Sequence, residues 1–308
     1  PRGFWRNKTC RILHDRSKMK KIIILIPVYN DWESFVKLIN EINTTIQNII
    51  NYKFECIVVN DFSSAQIPKI DKPKNFESLK IINMKKNQGH ARCNATGLRY
   101  INNNLSFDYV IVMDSDGEDR PIEIQDLINS ITNSPNISTV AKRIKRSEGL
   151  LFQSLYQLHK LITYIFTGKK INFGNYCCLT KNDVKILANK GSLWSSFSGT
   201  VKKNIYSLNE VNSTRGLRYF GPSKMSLLNL TIHSFSIIAV FKYTVFLRST
   251  FMIFFLFFFT KSFGQIISLT QILIIFFNLL IFIISNRESE IALKKSNENI
   301  ININEVTH

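Results

Sequence analysis

Apolar positions along this chain switch between two periods. Ile22–Ile26 is an unbroken apolar run, the pattern of a strand buried on both faces of a parallel sheet. Asn30 then reads as an N-cap, with Glu33 three residues on to complete a capping box. Trp32, Phe35, Val36, Ile39, Ile42 and Ile46 follow at helical spacing. Further apolar runs at Cys56–Val59, Leu79–Ile82 and Tyr109–Met113 predict three more strands, and His90–Asn102 and Ile122–Ile131 predict helices. Such alternation predicts an α/β domain: a doubly wound, mostly parallel sheet with helices on both faces.

The pattern changes near the C-terminus. From Thr250 to Ser285 the only charged residue is Lys261, and Ser262–Ser285 is a run of 24 uncharged residues. About 20 apolar residues cross a bilayer core, so this run predicts a transmembrane helix. The 12 residues between Arg248 and Lys261 are too few to cross alone; extended back to Ile237 they include Lys242 and Arg248. Two readings follow: a tight hairpin of two spans with snorkelling cations, or an interfacial helix feeding one span. The hairpin is favoured, with its turn at Phe263–Gly264. Residues 1–18, polar and basic without the apolar core of a secretory signal, are expected to be a disordered or non-native lead. The expected boundaries are then 19–225 for the globular domain, 226–248 for a juxtamembrane amphipathic helix, 249–285 for the membrane segment and 286–308 for a polar tail.

Composition narrows the class. With 45% hydrophobic residues in 308, global disorder is excluded. Five cysteines without a CxxC, two of them adjacent at Cys177 and Cys178, indicate reduced thiols facing the cytosol rather than a disulfide scaffold. Forty Lys+Arg against 22 Asp+Glu leave a formal charge of +18, which calls for an anionic partner. A nucleic-acid binder would show aromatics interleaved with a basic stripe, or a known module. Neither is present, so nucleic acid is not the expected partner; a non-catalytic basic membrane-surface protein is the other non-enzyme reading.

In a doubly wound sheet ligands sit beyond the carboxyl ends of the strands, so the residues after each strand carry the chemistry. Those segments are Pro27-Val-Tyr29-Asn30-Asp31, Asn60-Asp61-Phe-Ser-Ser, Asn87-Gln-Gly89-His90 and Asp114-Ser115-Asp116-Gly117-Glu118-Asp119. Two carboxylates one residue apart at a strand end suit a hard divalent cation, Mg²⁺ or Mn²⁺, with phosphate oxygens and water completing its shell. An ion held there neutralises a diphosphate leaving group. A solvated turn is the plain alternative for this loop taken alone. The chain has neither a P-loop nor a GxGxxG, so a Gly-rich phosphate cradle is not its means of holding a nucleotide.

The segments PVYND, VVNDFSS, NQGHARCNATG and VMDSDGEDRP, in this order and spacing, resemble the inverting family-2 glycosyltransferases of the GT-A fold. Lys142-Arg143-Ile-Lys-Arg146, Asn172-Phe-Gly-Asn175-Tyr176 and Arg215-Gly-Leu-Arg218-Tyr-Phe-Gly221-Pro-Ser223-Lys224 resemble the polyprenyl-phosphate branch, which includes dolichol-phosphate mannose synthases. The resemblance covers about residues 20–285. It implies that Pro27, Tyr29 and Asp31 line the base and ribose pocket, with Asp31 where many relatives have Glu. Val59 and Asp61 would contact the base, and Ser115 would join Asp114 and Asp116 at the donor. Asp114 and Asp116 would hold the metal and diphosphate, and Glu118 would join them at the metal, where relatives supply a further polar group, often Gln. Arg143, Arg218, Ser223 and Lys224 would bind phosphates of the donor or of a lipid acceptor. Asn60 replaces an Asp common in the wider family.

Independently, Arg218 to Lys224 spans a GPS turn that places two cations and a hydroxyl around one site, and a guanidinium fork matches phosphate geometry. A juxtamembrane patch on anionic lipid would use the same residues. A phosphate monoester acceptor is already ionised and needs no strong base, whereas a sugar hydroxyl does; Asp119 and His90 are the candidates. His90, His159 and His233 are otherwise expected to be structural. Trp194 and the following SSFSG are expected to form a flexible acceptor-side loop. The expected activity is transfer of a sugar from a nucleotide-diphosphate sugar to a polyprenyl phosphate, with a glycan or lipid-linked hydroxyl as the alternative acceptor. Asp61 suits uracil and guanine alike. The domain is expected on the cytoplasmic face, because basic residues precede the membrane segment.

Overall fold

The computed structural model describes residues 19–145, 150–222 and 226–307. Its centre is an eight-stranded mixed sheet in the order β7-β5-β6-β4-β1-β2-β3-β8. The strands are β1 (Lys20–Val28), β2 (Tyr52–Asn60), β3 (Phe76–Met84), β4 (Tyr109–Val112), β5 (Ser138–Lys145), β6 (Phe173–Thr180), β7 (Leu208–Thr214) and β8 (Ile300–Glu305). The run β4-β1-β2-β3 is parallel, while β6 pairs antiparallel with both β4 and β5 and β8 runs antiparallel to β3.

Two cores explain the continuous apolar run of β1. Ile22, Ile24 and Ile26 pack on one face with Phe35, Leu38 and Ile42 of α1 (Trp32–Ile46) and Leu127 of α3 (Ile124–Asn133). Ile23 and Leu25 pack on the other with Leu98 and Ile101 of α2 (His90–Asn104). Each apolar residue of the strand therefore has a helix to face, whichever way it points.

Several boundaries differ from the sequence expectation. Helix α1 begins at Trp32 with Asp31 at the N-cap, and no side chain caps it there. Asn30 instead adopts a left-handed backbone (φ 49°) and turns its Oδ1 to the backbone N–H of Ala65 at 3.0 Å, tying the first strand-end loop to the second. Asn tolerates that conformation better than most residues, which favoured the loop tie over a capping box. Trp194 and the serines after it are not a flexible loop. Ser196 caps α6 (Phe197–Asn204), preceded by α5 (Lys181–Leu187), and Trp194, Ser196 and Phe197 are all buried.

The stretch expected as one amphipathic helix is two: α7 (Leu227–Ala239) and α8 (Lys242–Phe257), bent by 82°. Helix α9 (Thr260–Ser285) then runs for 26 residues, about 39 Å at 1.5 Å per residue, and is long and apolar enough to cross a bilayer. The chain reverses at Phe258–Phe259, not at Phe263–Gly264, and Gly264 lies inside α9. Gln271 Nε2 donates to the carbonyl of Ile253 at 3.2 Å, joining the two arms. Arg248 stays exposed while its Nε donates to the carbonyl of Ile165 at 2.8 Å, near the C-terminal end of α4 (Leu150–Thr167).

The polar tail is also structured. After α10 (Glu290–Lys294), β8 adds to the sheet edge with Ile303 opposite Ile82 and Asn302 opposite Asn83. The alternation IININE carried that strand signal. Since the chain leaves the domain before α7 and rejoins its sheet at β8, the arms α8 and α9 depart and return on the same side.

Candidate active site

The carboxyl ends of β1, β2 and β4 lie side by side, with Pro27 opposite Val59 and Val28 opposite Asn60 in register. Val59 is wholly buried in the core, so only its backbone can face a ligand, whereas Tyr29 is exposed. Asp61 is 3% exposed and accepts two backbone hydrogen bonds, Oδ1 from Gln88 N at 2.7 Å and Oδ2 from Gly89 N at 2.9 Å. Burial raises its pKa, and those two amides partly offset the rise. The same carboxylate thus latches the entry to α2. Asn60 Oδ1 accepts the backbone N–H of Ser63, and its Nδ2 donates to Asn83 Oδ1.

The acidic turn after β4 is crowded. Asp114 Oδ1 lies 3.1 Å from His90 Nε2, and Asn175 Nδ2 reaches both, at 3.2 Å and 2.7 Å. Asp119 is buried and its Oδ2 accepts the backbone N–H of Asp114 at 3.0 Å; Ser115 beside it is buried too. Burial pushes Asp114 up, but the His90 charge and hydrogen bond, with Arg143 beyond, hold it well below the usual carboxylate range. Its neighbours carry the consequence. Burial and the Asp114 charge push Asp119 up to about 8, and burial, Asp114 and Glu118 push Asp116 up to about 6. Asp114 and His90 sustain one another: burial pulls the imidazole pKa down, and Asp114 more than restores it.

Two arginines from the segment after β7 close over this turn. Arg218 bridges two strand-end loops, with Nη1 at 2.6 Å from Asp116 Oδ2 and Nη2 at 2.5 Å from Asp31 Oδ2. Arg215 pairs with Glu118. Backbone bonds reinforce the closure: Gly216 N donates to Glu118 O at 2.9 Å and Tyr219 N to Asp116 O at 3.0 Å. Gly117 has φ 87°, and a Cβ there would stand 2.5 Å from the Tyr219 ring, so only glycine lets the two segments meet.

Arg143 stands apart. Among the described residues its guanidinium forms no ion pair, and it lies against Gly174, where a Cβ would come within 2.4 Å of Nη2. Asp31, Asp114, Asp116, Glu118, Asp119, Arg143 and Arg218 are therefore gathered at one rim. Ser223 and Lys224 lie outside the described residues. Sequence reasoning missed the part of Asn175, which shares both His90 and Asp114, and of His233 on α7, whose pKa burial lowers to about 4, with His90 adding to the fall and Asp114 opposing it.

For a divalent ion the donors are hard oxygens in a turn whose carboxylates repel one another. Among the described residues no point gathers three or more His, Cys, Asp or Glu side chains around an ion. Such an ion would meet one or two carboxylates, which is the usual protein share of a Mg²⁺ shell. The residues fit on that count, provided Arg218 yields Asp116.

Comparison with known proteins follows the same lines. The chain is 24% identical over 173 residues to the undecaprenyl-phosphate 4-deoxy-4-formamido-L-arabinose transferase of Salmonella choleraesuis (strain SC-B67), covering 55% of this chain and 50% of that protein. The enzyme of that name from Yersinia enterocolitica is 25% identical over 170 residues, with 55% and 50% covered. The chain thus spans about half the length of these curated relatives. Glucosyl-3-phosphoglycerate synthase from Mycobacterium tuberculosis, solved with Mn²⁺, uridine diphosphate and glucosyl-3-phosphoglycerate, shares the fold: TM-score 0.50, 13% identity, 73% of this chain and 80% of that one. The profile described as glycosyl transferase family 2 matches residues 23–186, more than half of the chain, and this protein belongs to that family.

Proposed function

We propose that the protein is a membrane-anchored glycosyltransferase that moves a sugar from a nucleotide-diphosphate sugar to a polyprenyl phosphate, with inversion. The observation that carries this reading is the placement of Arg143, a guanidinium without an ion pair, beside Asp114 and on the side of the rim where His233 of α7 leads to the apolar helices. A phosphate there would be met by a cation already poised and partly desolvated. The acceptor named for the undecaprenyl-phosphate relatives agrees with it.

The donor nucleotide would lie across the ends of β1 and β2, along Pro27, Tyr29, Asp31 and the Asp61 latch. Asp114 and Asp116 would hold Mg²⁺ or Mn²⁺, which supplies charge neutralisation for the departing diphosphate. Arg218 would turn from Asp116 to phosphate oxygens as the donor enters, keeping the charge balance of the rim. An acceptor phosphate arrives ionised and attacks the anomeric carbon in line without a base. Asp119 supports this choice of acceptor: it is 4% exposed and committed to the Asp114 N–H, so it is poorly placed to take a proton from a sugar hydroxyl.

The paths of α8 and α9 support a hairpin that enters the bilayer and returns. Phe251, Phe254, Phe255, Ile272, Ile275, Phe276 and Leu279 are all exposed, as lipid-facing side chains are. Leu155, Leu158 and Leu161 of α4 are exposed as well and would rest on the membrane surface. The catalytic domain would then face the cytoplasm, with the basic flanks of the hairpin.

The test offers UDP-, GDP- and dTDP-sugars to the full chain in detergent, with undecaprenyl phosphate, dolichyl phosphate or a saccharide as acceptor, and weighs the lipid product. A glycosyl phosphoryl-polyprenol is the expected mass. Transfer confined to a hydroxyl would refute the acceptor.

A further inference from the structure

A second polar cleft lies away from the acidic rim, where the domain meets the membrane hairpin. It encloses about 430 Å³ and is lined by Lys190, Ser192, Lys203, Asn204, Lys242 and Glu288. Four segments build it: the turn after α5, the last turn of α6, the first residue of α8 and the link from α9 to α10. They are tied together by polar contacts. Lys203 Nζ donates to Val240 O at 2.6 Å, and Ser289 N donates to Gly191 O at 3.3 Å. Lys242 Nζ lies 3.3 Å from Glu288 Oε2.

The charges in this cleft do not balance. Glu288 answers Lys242, and Glu290 is engaged by Lys294 at 2.7 Å. Among the described residues Lys190 and Lys203 have no carboxylate partner. Burial, together with the Lys242 and Lys190 ammoniums, lowers the pKa of Lys203 despite the opposing pull of Glu288. Lys190, Lys203 and Lys242, from separate segments, thus share the cleft with the two carboxylates of Glu288 and Glu290, which leaves an excess of one positive charge. The level matters equally. Lys242 opens the descending arm of the hairpin, and Glu288 follows Ser285, where the returning arm ends. Exposed Tyr243 beside Lys242 is an aromatic of the kind found at headgroup depth.

We propose that this cleft binds a phosphate-bearing anion at the membrane surface, held by Lys190 and Lys203 and separate from the donor and acceptor sites. Its chemistry suits the headgroup phosphate of an anionic phospholipid and, equally, a soluble phosphate. Bound there, the anion would clamp α6 to the link after α9 and so fix the catalytic domain over its membrane hairpin. The location at headgroup depth rests on the membrane reading above.

The full chain is reconstituted in nanodiscs of phosphatidylcholine alone, of phosphatidylcholine with phosphatidylglycerol, and of phosphatidylcholine with inorganic phosphate in the buffer. Thermal stability is read in each, and bound phosphatidylglycerol is counted by native mass spectrometry. The Lys190→Gln/Lys203→Gln protein is compared with Lys69→Gln/Lys74→Gln, which loses the same charge from exposed positions elsewhere. A rise in melting temperature in the wild type and the Lys69/Lys74 control, absent from the Lys190/Lys203 variant, supports the site. A rise with phosphatidylglycerol alone assigns a lipid, and one with inorganic phosphate assigns a soluble anion. Affinity is expected to fall about fivefold per lysine, the ratio given by roughly 1 kcal/mol per cation near an anionic surface. An equal rise in both variants, or none in the wild type, overturns the proposal. Should the double variant fold poorly in phosphatidylcholine, Lys190→Gln alone carries the same comparison. Failure to enter nanodiscs at all would instead fall on the membrane reading.

Discussion

Asp61 and Asp116 stand beyond the ends of β2 and β4, the two parallel neighbours of β1, yet their charges are held by opposite means. Asp61 is gripped by two backbone amides, from Gln88 and Gly89, only 27 and 28 residues away in sequence. Asp116 is gripped by the Arg218 guanidinium, 102 residues on. Neutral amides fixed in a loop neither leave nor compete with an incoming cation. A guanidinium on a long side chain can do both. The first arrangement suits a permanent wall for a nucleotide, and the second suits a carboxylate that changes partners when a charged substrate arrives.

The largest break in this comparison comes from Asp116 itself. Asp116→Asn is expected to lower transfer by about 10²–10³-fold, the scale of losing one preorganised charge contact at a reacting centre. The melting temperature should hold within a few degrees, because the carboxylate is paired rather than packed. Activity near the wild-type level would show that the acidic turn is structural only. Asp61→Asn tests the other arrangement. An amide nitrogen must then face a backbone N–H, which leaves a buried donor unmet at about 1–3 kcal/mol. Nucleotide affinity is expected to weaken by about tenfold to hundredfold together with a drop in stability, measured by calorimetry and melting. Loss of affinity without loss of stability would mean that Asp61 contacts the base and does not latch α2.

Arg218→Gln sharpens the contrast by reversing a sign. With the guanidinium gone, Asp116 and Asp31 lose their counter-charge, so Mn²⁺ should bind tighter in the absence of donor, read by electron paramagnetic resonance. Turnover should fall in the same protein, since the phosphates lose their fork. Unchanged Mn²⁺ affinity would remove the idea that arginine and metal exchange at this carboxylate. Gly174→Ala gives a smaller, purely positional change. Its Cβ would stand 2.4 Å from Arg143 Nη2, so the guanidinium must move. The KM for polyprenyl phosphate should rise severalfold with the donor KM unaltered, and a matching rise in both would place Arg143 on the donor.

How far these features were legible follows from the same distinction between local and distant partners. The strands β1 to β4 and the acidic turn announce themselves, because continuous apolar runs and the residues just after them need no knowledge of the remote chain. The Arg218–Asp31 pair does not: spacing shows a phosphate-suited cation but not the carboxylates that hold it meanwhile. Val59 belongs to a doubly covered strand whose side chains are committed to core, so a contact with the base would come from its backbone. The hairpin turn was expected at Phe263–Gly264 but falls at Phe258–Phe259, because a lone glycine is tolerated inside a helix at a cost of about 1 kcal/mol and does not by itself end one. The strand β8 was hidden for a different reason. Its IININE alternation is plain, but a short edge strand after an apparent membrane exit has nothing nearby to pair with until the fold brings β3 beside it.

The smallest effect lies where the two halves of the molecule meet. His233 is partly buried on α7, faced by His90, Asp114, Arg143 and His159, and its pKa falls to about 4 from an ordinary 6.5. Burial does most of this, and the neighbouring cations add to it against the pull of Asp114. The unfolded chain takes up this proton near pH 6.5, whereas the folded protein resists it down to about pH 4. Folding is therefore undisturbed by His233 above pH 6.5 and progressively penalised as the pH falls between those values, by at most about 3.4 kcal/mol at 1.36 kcal/mol per unit. His233→Gln cannot take the proton, so its melting temperature should decline less than that of the wild type from pH 6.5 to pH 4.5. Parallel declines would mean that the imidazole is hydrated in the folded protein, and that α7 stands further from the acidic rim than His90 and Asp114 require.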